Sequence, residues 1–243
     1  MPTLVFLHGL LGSKEDWKNV IENLPHFSCL ALDLPFHAQA KHVQVNDFEQ
    51  TCDYLATQIK AQLSNQPYYL IGYSLGGRIA LYYALHYSKA KGQLQGVIVE
   101  GANLGLTSET EKHTRWQQDQ AWAARFNTQP PQDVLADWYQ QPVFAHLTAT
   151  ERAELIEKRA EQCGSNIAQM LLATSLAKQP DFRPSLRTST LPIHYFCGDK
   201  DQKFKQLALD TGLNLTLIEQ AGHNAHREQS QQFAKNIQEK IVF

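Results

Sequence analysis

The sequence predicts an α/β domain with a mostly parallel central sheet, helices on both faces of the sheet, and a helical insertion. Short apolar runs alternate with amphipathic stretches, and the runs are continuous, as expected for strands buried on both faces. The chain has 243 residues, 43% of them hydrophobic, which is enough for one such domain and short for two. The strand pattern is lost over a long middle stretch, which predicts the insertion.

Six apolar runs are the predicted strands of this sheet. They cover residues 4–7, 29–32, 68–71, 97–99, 193–197 and 213–218. Helical segments separate most of them, which favours parallel pairing. The first helix begins with a capping-box pattern at residues 13–16, and residues 47–63 carry apolar side chains at helical spacing.

Residues 108–186 contain only helical patterns. Capping-box patterns begin at Ser108 and Thr148, and Pro131 opens a further helix. A segment of this length is too long for a simple loop. We therefore predict a core of residues 1–107 and 187–243 and a helical lid of residues 108–186 over the carboxyl edge of the sheet, together forming a single structural unit.

Charge, hydropathy and cysteine spacing exclude several kinds of function. The net charge of −2 argues against a general nucleic-acid binder, and no apolar run approaches the ~20 residues of a membrane-spanning helix. The amino terminus lacks the basic segment and cleavage site of a signal peptide. Cys29, Cys52, Cys163 and Cys197 form no zinc-type or C-x-x-C pattern. We expect free thiols, a cytoplasmic location, no metal or other cofactor, and no obligate protein partner.

The segment Gly72-Tyr73-Ser74-Leu75-Gly76 lies directly after a predicted strand and before helical sequence. A G-x-S-x-G turn needs small residues two before and two after the serine. It lifts the serine Oγ above the sheet and points a helix amino terminus at it. Ser74 is therefore the candidate catalytic serine. The alternative is a glycine-rich turn with an incidental serine.

A catalytic serine needs a histidine, and the histidine needs a carboxylate, which follow in the chain order serine, acid, histidine. His223 comes after the last predicted strand and is the candidate base. His226 lies in the following helix, and we expect it to cap that helix or face the lid. Asp199 and Asp201 compete for the acid. The turn usually presents the acid as its fourth residue, which selects Asp201 and leaves Asp199 to support the turn.

His8-Gly9 at the end of the first strand matches the turn that supplies one oxyanion N–H in such enzymes. The predicted oxyanion donors are the backbone amides of Leu10 and Leu75. We expect the His8 side chain to hold this loop rather than to transfer protons.

Together these segments resemble the α/β-hydrolase-fold family, and the likeness extends over nearly the whole chain. Four of them closely resemble the 2-succinyl-6-hydroxy-2,4-cyclohexadiene-1-carboxylate synthases of menaquinone biosynthesis: FLHGLLGS, GYSLGGR, ADWYQQPVF and AGHNAHRE. The resemblance implies a lyase that removes a proton from the succinyl side chain of 2-succinyl-5-enolpyruvyl-6-hydroxy-3-cyclohexene-1-carboxylate and expels pyruvate. It also implies that the triad serine is the base and that no acyl-enzyme forms.

The resemblance further implies that Arg78, Arg115 and Arg159 bind the three carboxylates of this substrate, and that Tyr73 and Trp138 line the site. For Trp138, packing within the lid is an alternative that is compatible with a role in the site.

The sequence around each arginine indicates a different environment for its side chain. Arg78 lies four residues after the serine in a buried helix, so it needs a carboxylate from a protein acid or from the substrate. Arg159 lies on the apolar face of its helix and points to the cleft, unless it snorkels to the surface. Arg115 has Glu111 and Asp119 at positions i−4 and i+4, so an ion-pair ladder explains it equally well.

Residues 32–38, LDLPFHA, depart from the usual family segment, which has glycine in place of Phe36 and Ala38. If those glycines have positive φ, we expect a displaced loop here, and we assign no function to His37. The chain also starts at the strand that bears His8, so we expect the first two strands of the family fold to be shortened or absent.

Two other functions remain open at this point. The same triad would serve a serine carboxylesterase or thioesterase. A receptor with a hydrolase fold is the other alternative, although a receptor needs no complete triad.

Overall fold

The computed structural model describes residues 1–162 and 164–241, and within them the chain forms a six-stranded, all-parallel sheet. The strand order is β2-β1-β3-β4-β5-β6. The strands are β1 (Thr3–Leu7), β2 (Cys29–Leu32), β3 (Tyr68–Tyr73), β4 (Leu94–Glu100), β5 (Ile193–Gly198) and β6 (Asn214–Ile218). The predicted fold class is confirmed, and each of the six predicted strands is present, although β4 begins three residues before its predicted start.

The helices of the core connect these strands, and those of the insertion follow one another without a strand. The core helices are α1 (Lys18–Glu22), α2 (Phe48–Leu63), α3 (Leu75–Leu85), α9 (Gln202–Thr211), α10 (Ala225–Glu228) and α11 (Ser230–Lys240). The inserted helices are α4 (Glu109–Thr128), α5 (Pro131–Trp138), α6 (Ala149–Ala160), α7 (Ser165–Ala173) and α8 (Arg183–Thr188). Among the described residues, none of these helices has the length and apolar character needed to cross a membrane.

Successive side chains of a strand point to opposite faces of the sheet, so β1 contributes to two separate hydrophobic cores. Val5 and Leu7 belong to the core that the sheet forms with α2 and α3. Leu4 and Phe6 belong to the core formed with α1 and α11. Burial on both faces explains why the strands are continuous apolar runs in the sequence.

The insertion has a hydrophobic core of its own. Phe126 of α4, Leu135 of α5, Leu155 of α6 and Ile167 of α7 are buried in one cluster, which Leu11 joins from the loop after β1. Leu11 thus connects the inserted helices to the carboxyl end of β1. The division of the chain into core and lid at residues 108 and 186 stays a prediction.

The loop after β2 corrects one expectation. Phe36 and Ala38 have φ angles of 65° and 41°, so residues with a Cβ adopt the conformation that was expected to require glycine. This costs on the order of 1–2 kcal/mol per residue. The Phe36 side chain is buried in the core, and its N–H donates to the carbonyl of Ala40 at 3.1 Å. Local hydrogen bonding and burial offset the strain.

Cys29, Cys52 and Cys197 carry free thiols. Cys163 lies outside the described residues. Within the described part of the chain, no group of three or more histidine, cysteine, aspartate or glutamate side chains is arranged to hold a metal ion.

Candidate active site

Ser74 lies between β3 and α3 in a strained turn. Its φ is 51° and its ψ is −107°, which is unusual for a residue with a side chain. The Ser74 N–H donates to the carbonyl of Glu100 at 2.8 Å. A Cβ on Gly72 would lie 2.4 Å from the carbonyl oxygen of Gly76, and one on Gly76 would lie 2.3 Å from that of Leu7. These backbone approaches explain the two glycines of the motif.

His223 and Asp201 form a buried pair beside this turn. Nδ1 of His223 lies 2.7 Å from Oδ2 of Asp201, while Oδ1 accepts the N–H of Phe204 at 3.3 Å. The Phe204 ring stacks on the imidazole at 5.0 Å between centroids. A Cβ on Gly101 would lie 2.8 Å from Cε1 of His223, so the ring rests against the end of β4. With Nδ1 bound to the acid, Nε2 is left for the serine.

Asp199, the competing acid, contacts the backbone instead. Its Oδ1 accepts the N–H of Ala221 at 3.2 Å, which links the turn after β5 to the loop after β6. Of the two candidate acids, Asp201 therefore has the geometry of a histidine partner and Asp199 that of a turn support.

The expectation for His226 is wrong. Its side chain neither caps α10 nor faces the lid but is buried, with Nδ1 2.7 Å from Oε2 of Glu100. The indole of Trp17 packs against it at 4.5 Å between centroids. The Glu100 carboxylate, at the end of β4, favours burial of the His226 imidazole, because each group partly replaces the hydration that the other loses.

No hydrogen bond joins Ser74 Oγ to His223 within the described part of the chain. Ser74 is half-buried, and the serine–histidine contact is often long in ligand-free enzymes.

The amides of Leu10 and Leu75 are free to bind a ligand oxygen. Leu75 is the first residue of α3, so its N–H has no partner within the helix, and neither amide donates to any other described residue. A Cβ on Gly9 would lie 3.6 Å from Cβ of Ser74, which puts the first turn next to the serine. This arrangement is suited to an oxyanion hole.

His8 holds the turn after β1, as expected. The N–H of Leu34 donates to Nε2 of His8 at 3.0 Å, and Nδ1 lies 2.7 Å from the Gly9 carbonyl oxygen. Burial lowers the pKa of His8 to about 4. The ring is therefore neutral at pH 7, with its proton on Nδ1.

Tyr73 and Trp138 both line a small cavity, called here the inner cavity, which has a volume of about 30 Å³. The Tyr73 hydroxyl donates to Oδ1 of Asn224 at 2.5 Å, and its ring lies 5.3 Å from that of His223. Trp138 also packs on Trp122 at 5.0 Å, so its lid-packing role and its place in the cavity wall coexist.

Arg78 is buried without an acidic partner among the described residues. Its Nε donates to Oε1 of Gln179 at 2.6 Å and its Nη2 to the carbonyl of Thr174, while its guanidinium lies over the Phe48 ring. Burial, together with the charge of Arg115, lowers the pKa of Arg78 to about 9. The side chain is still a cation at pH 7 and has only neutral hydrogen-bond partners.

Arg115 and Arg159 both pair with protein acids. Nε of Arg115 donates to Oδ1 of Asp119 at 2.8 Å, which is one half of the ladder considered from the sequence. Glu111 instead caps its helix at Ser108. Arg159 is buried and lines the inner cavity, so it does not snorkel to the surface.

The partner of Arg159 is Asp16, whose Oδ2 accepts from Nη2 at 2.7 Å. In the sequence Asp16 belonged only to a helix-start pattern, and no local signal indicates this distant contact. Glu228 was also missed. Its Oε2 accepts the N–H of Gly222 at 2.7 Å, and its Oε1 lies 3.0 Å from Nε2 of His146 in the insertion. Its place in the AHRE segment, five residues after His223, was the available signal.

Known proteins share both the fold and the full length of the chain. The family model of the alpha/beta hydrolase fold matches residues 2–229. A protein of Haemophilus influenzae (strain ATCC 51907 / DSM 11121 / KW20 / Rd), provisionally named 2-succinyl-6-hydroxy-2,4-cyclohexadiene-1-carboxylate synthase, is 59% identical over 242 residues, covering 100% of this chain and 98% of that protein. The synthase of the same name from Serratia proteamaculans (strain 568) is 44% identical over 244 residues, covering 99% and 93%.

The solved structure of MenH from S. aureus superposes with a TM-score of 0.88 at 27% identity, covering 98% of this chain and 92% of that chain. Fold, length and sequence thus agree with the resemblance carried by the four segments. The chain belongs to the α/β-hydrolase-fold family and, within it, to the 2-succinyl-6-hydroxy-2,4-cyclohexadiene-1-carboxylate synthases.

Proposed function

We propose that this chain eliminates pyruvate from 2-succinyl-5-enolpyruvyl-6-hydroxy-3-cyclohexene-1-carboxylate to form 2-succinyl-6-hydroxy-2,4-cyclohexadiene-1-carboxylate, a step of menaquinone (vitamin K2) biosynthesis. Family membership supports the reaction class. The observation that carries the proposal is the buried guanidinium of Arg78, four residues after Ser74, with neutral partners only. A buried cation without a carboxylate is costly, and an anionic substrate supplies the partner.

Ser74 is the proposed base. His223 Nε2 takes the hydroxyl proton, and Asp201 fixes the imidazole tautomer through Nδ1. The Ser74 oxygen then removes the proton from ring carbon C2, which bears the succinyl ketone, and the electron pair moves to the ketone oxygen. When this enolate collapses, the ring double bond C3=C4 is replaced by C2=C3 and C4=C5 and the C5–O bond to the enolpyruvyl group breaks. The released enolate of pyruvate takes up a proton on its terminal carbon to become pyruvate.

The amides of Leu10 and Leu75 are the proposed donors to the enolate oxygen. Charge develops on that oxygen only as the proton leaves, so donors fixed in advance stabilise the transition state more than the ground state. Each such donor is typically worth ~2.7–4 kcal/mol. No bond between Ser74 and an acyl group is needed, which separates this reaction from ester hydrolysis.

The substrate-binding roles of Arg78, Arg115 and Arg159, and of Tyr73 and Trp138, are part of the proposal. The positive charge of Arg115 acts on Arg78, which is consistent with a shared anionic ligand. Because Arg115 and Arg159 also pair with protein acids, a substrate carboxylate has to share or displace Asp119 and Asp16 at these sites. The cytoplasmic location expected from the sequence remains part of this proposal.

Substrate entry requires a change at the inner cavity. Its volume of about 30 Å³ admits about one water molecule. Tyr139, Phe144 and Leu155 of the insertion form part of its wall. We therefore propose that these inserted elements move away from the sheet when the substrate binds.

The alternative activity is that of a serine carboxylesterase or thioesterase, which the same Ser74, His223 and Asp201 would serve. A paired assay decides between the two. Wild type, Arg78→Ala and Arg187→Ala are assayed on the enolpyruvyl substrate and on a neutral nitrophenyl ester. Arg187 is exposed on α8 and serves as the matched control.

The lyase proposal predicts that Arg78→Ala loses at least ~10-fold in kcat/KM on the enolpyruvyl substrate. Any trace of ester turnover stays nearly unchanged, and Arg187→Ala behaves as wild type. Fast ester turnover with an acyl-Ser74 burst, lost in parallel with pyruvate release, would replace the lyase proposal by the hydrolase alternative.

A further inference from the structure

Arg227 is a further cation at the candidate active site. It lies in α10, four residues after His223, and lines the inner cavity together with Tyr73 and Arg159. It also lines an adjoining outer cavity of about 470 Å³. Its side chain is half-buried.

The arginines around the cleft differ in whether a protein acid already neutralises them. Arg159 pairs with Asp16 at 2.7 Å and Arg115 with Asp119 at 2.8 Å. Arg227 has neither an ion pair nor a side-chain hydrogen bond with any described residue. Of the two arginines that line the inner cavity, Arg227 is thus the one whose charge is unmatched.

Glu228 and Asp16, two acids that line the outer cavity with Arg227, have other partners. Glu228 accepts the backbone N–H groups of Gly222 and Asn224 and also contacts His146. Asp16 is shared between Arg159 and Lys158. Glu15, Glu151 and Glu154 also line the outer cavity, but none of them forms an ion pair or a hydrogen bond with Arg227 among the described residues.

We propose that Arg227 binds one carboxylate of the substrate in the inner cavity, beside Arg159. This inference rests on the proposed function, because it requires a polyanionic substrate. An unpaired guanidinium offers a carboxylate two parallel N–H donors, whereas Arg159 must first give up Asp16. The positive charges of Arg227 and Arg159 both act on the buried Tyr139 hydroxyl. Burial raises the pKa of Tyr139, and the two charges oppose that rise. Arg227 and Arg159 thus converge on one part of the cavity.

Arg227→Gln, Arg227→Lys and the control Arg187→Gln test this role by pyruvate release from the enolpyruvyl substrate. We expect Arg227→Gln to raise KM by ~10–150-fold with kcat within ~3-fold, because the contact binds ground and transition states alike. Arg227→Lys should recover part of this loss, because the lysine ammonium keeps the positive charge but lacks the two parallel N–H donors of the guanidinium. Arg187→Gln leaves both constants unchanged.

A second measurement needs no turnover. Succinate is titrated into wild type and Arg227→Gln while tryptophan fluorescence is followed, because Trp138 lines the same cavity. Succinate affinity should fall by ~10-fold or more in the variant, at an unchanged unfolding temperature. Unchanged KM and unchanged succinate affinity in Arg227→Gln would overturn the inference. Wild type that binds succinate through Arg227 but releases no pyruvate would instead overturn the proposed function alone.

Discussion

Nη2 of Arg159 donates a 2.7 Å hydrogen bond to Oδ2 of Asp16, and the two residues are 143 positions apart in the chain. The bond joins α6 of the insertion to the short 3-10 helix Lys14–Trp17, which lies between β1 and α1. Both side chains are buried, and Nζ of Lys158 approaches the other carboxylate oxygen at 3.1 Å. This ion pair is one of the polar connections between the insertion and the edge of the sheet where the candidate active site lies.

Asp16→Asn should therefore destabilise the protein markedly. It leaves the buried charge of Arg159 without a full partner, and breaking a buried pair in this way typically costs ~3–5 kcal/mol. The free energy of unfolding from denaturant titration measures the effect. Glu15→Gln is the matched control, because Glu15 is the exposed neighbour of Asp16. Equal unfolding energies for the two variants would show that the pair does not hold the insertion.

The contact between His146 and Glu228 should make docking of the insertion depend on pH. The hydrogen bond to Glu228 raises the pKa of His146 above 6.5. The stability from this contact is thus fully present below pH 6.5 and is lost as pH rises through the raised pKa. We expect His146→Gln to lower the unfolding temperature more at about pH 5.5 than at about pH 8.5. An equal loss at both pH values would contradict this prediction, because it would show that His146 stabilises the protein only by packing against Gly222.

Ser74→Ala and His223→Ala should each lower kcat by at least ~10³-fold while the protein stays folded, because serine and base act as a unit. The double variant should lose little more than either single variant. Steady-state kinetics on the enolpyruvyl substrate give the three values. Losses that multiply in the double variant would mean that the two residues act independently.

Asp201→Asn should cost at least ~10²-fold more in kcat than Asp199→Asn. An amide at position 201 can hold the wrong tautomer of His223, whose Nδ1 lies 2.7 Å from Asp201 Oδ2. An amide at position 199 can still accept the N–H of Ala221 through its oxygen. The same kinetic assay ranks the two variants, and the opposite ranking would move the acid to Asp199.

Much of the fold could be predicted because its signals are local. Each strand is an apolar run of a few residues, and the capping boxes at Ser108 and Thr148 mark where α4 and α6 begin. The start of β4 was predicted three residues late, at residue 97. Gln95 and Gly96 interrupt the apolar pattern, but backbone pairing with β3 extends to Leu94.

Only the site residues that belong to short sequence motifs could be predicted. Ser74, Asp201 and His223 belong to turns with recognisable residue types. By contrast, the Asp16–Arg159 pair and the burial of His226 against Glu100 depend on contacts between distant segments. Phe36 was misjudged for a different reason. The preference of positive φ for glycine is a matter of a few kcal/mol, and surrounding packing can outweigh it.

The most direct test of the proposed lyase reaction is the amount of pyruvate formed per enolpyruvyl substrate consumed, by purified wild type and by Ser74→Ala. We expect one pyruvate per substrate for wild type, no covalent adduct on Ser74 during turnover, and a rate at least ~10³-fold lower for the variant. Absence of pyruvate release by wild type, or release by Ser74→Ala at the wild-type rate, would contradict it.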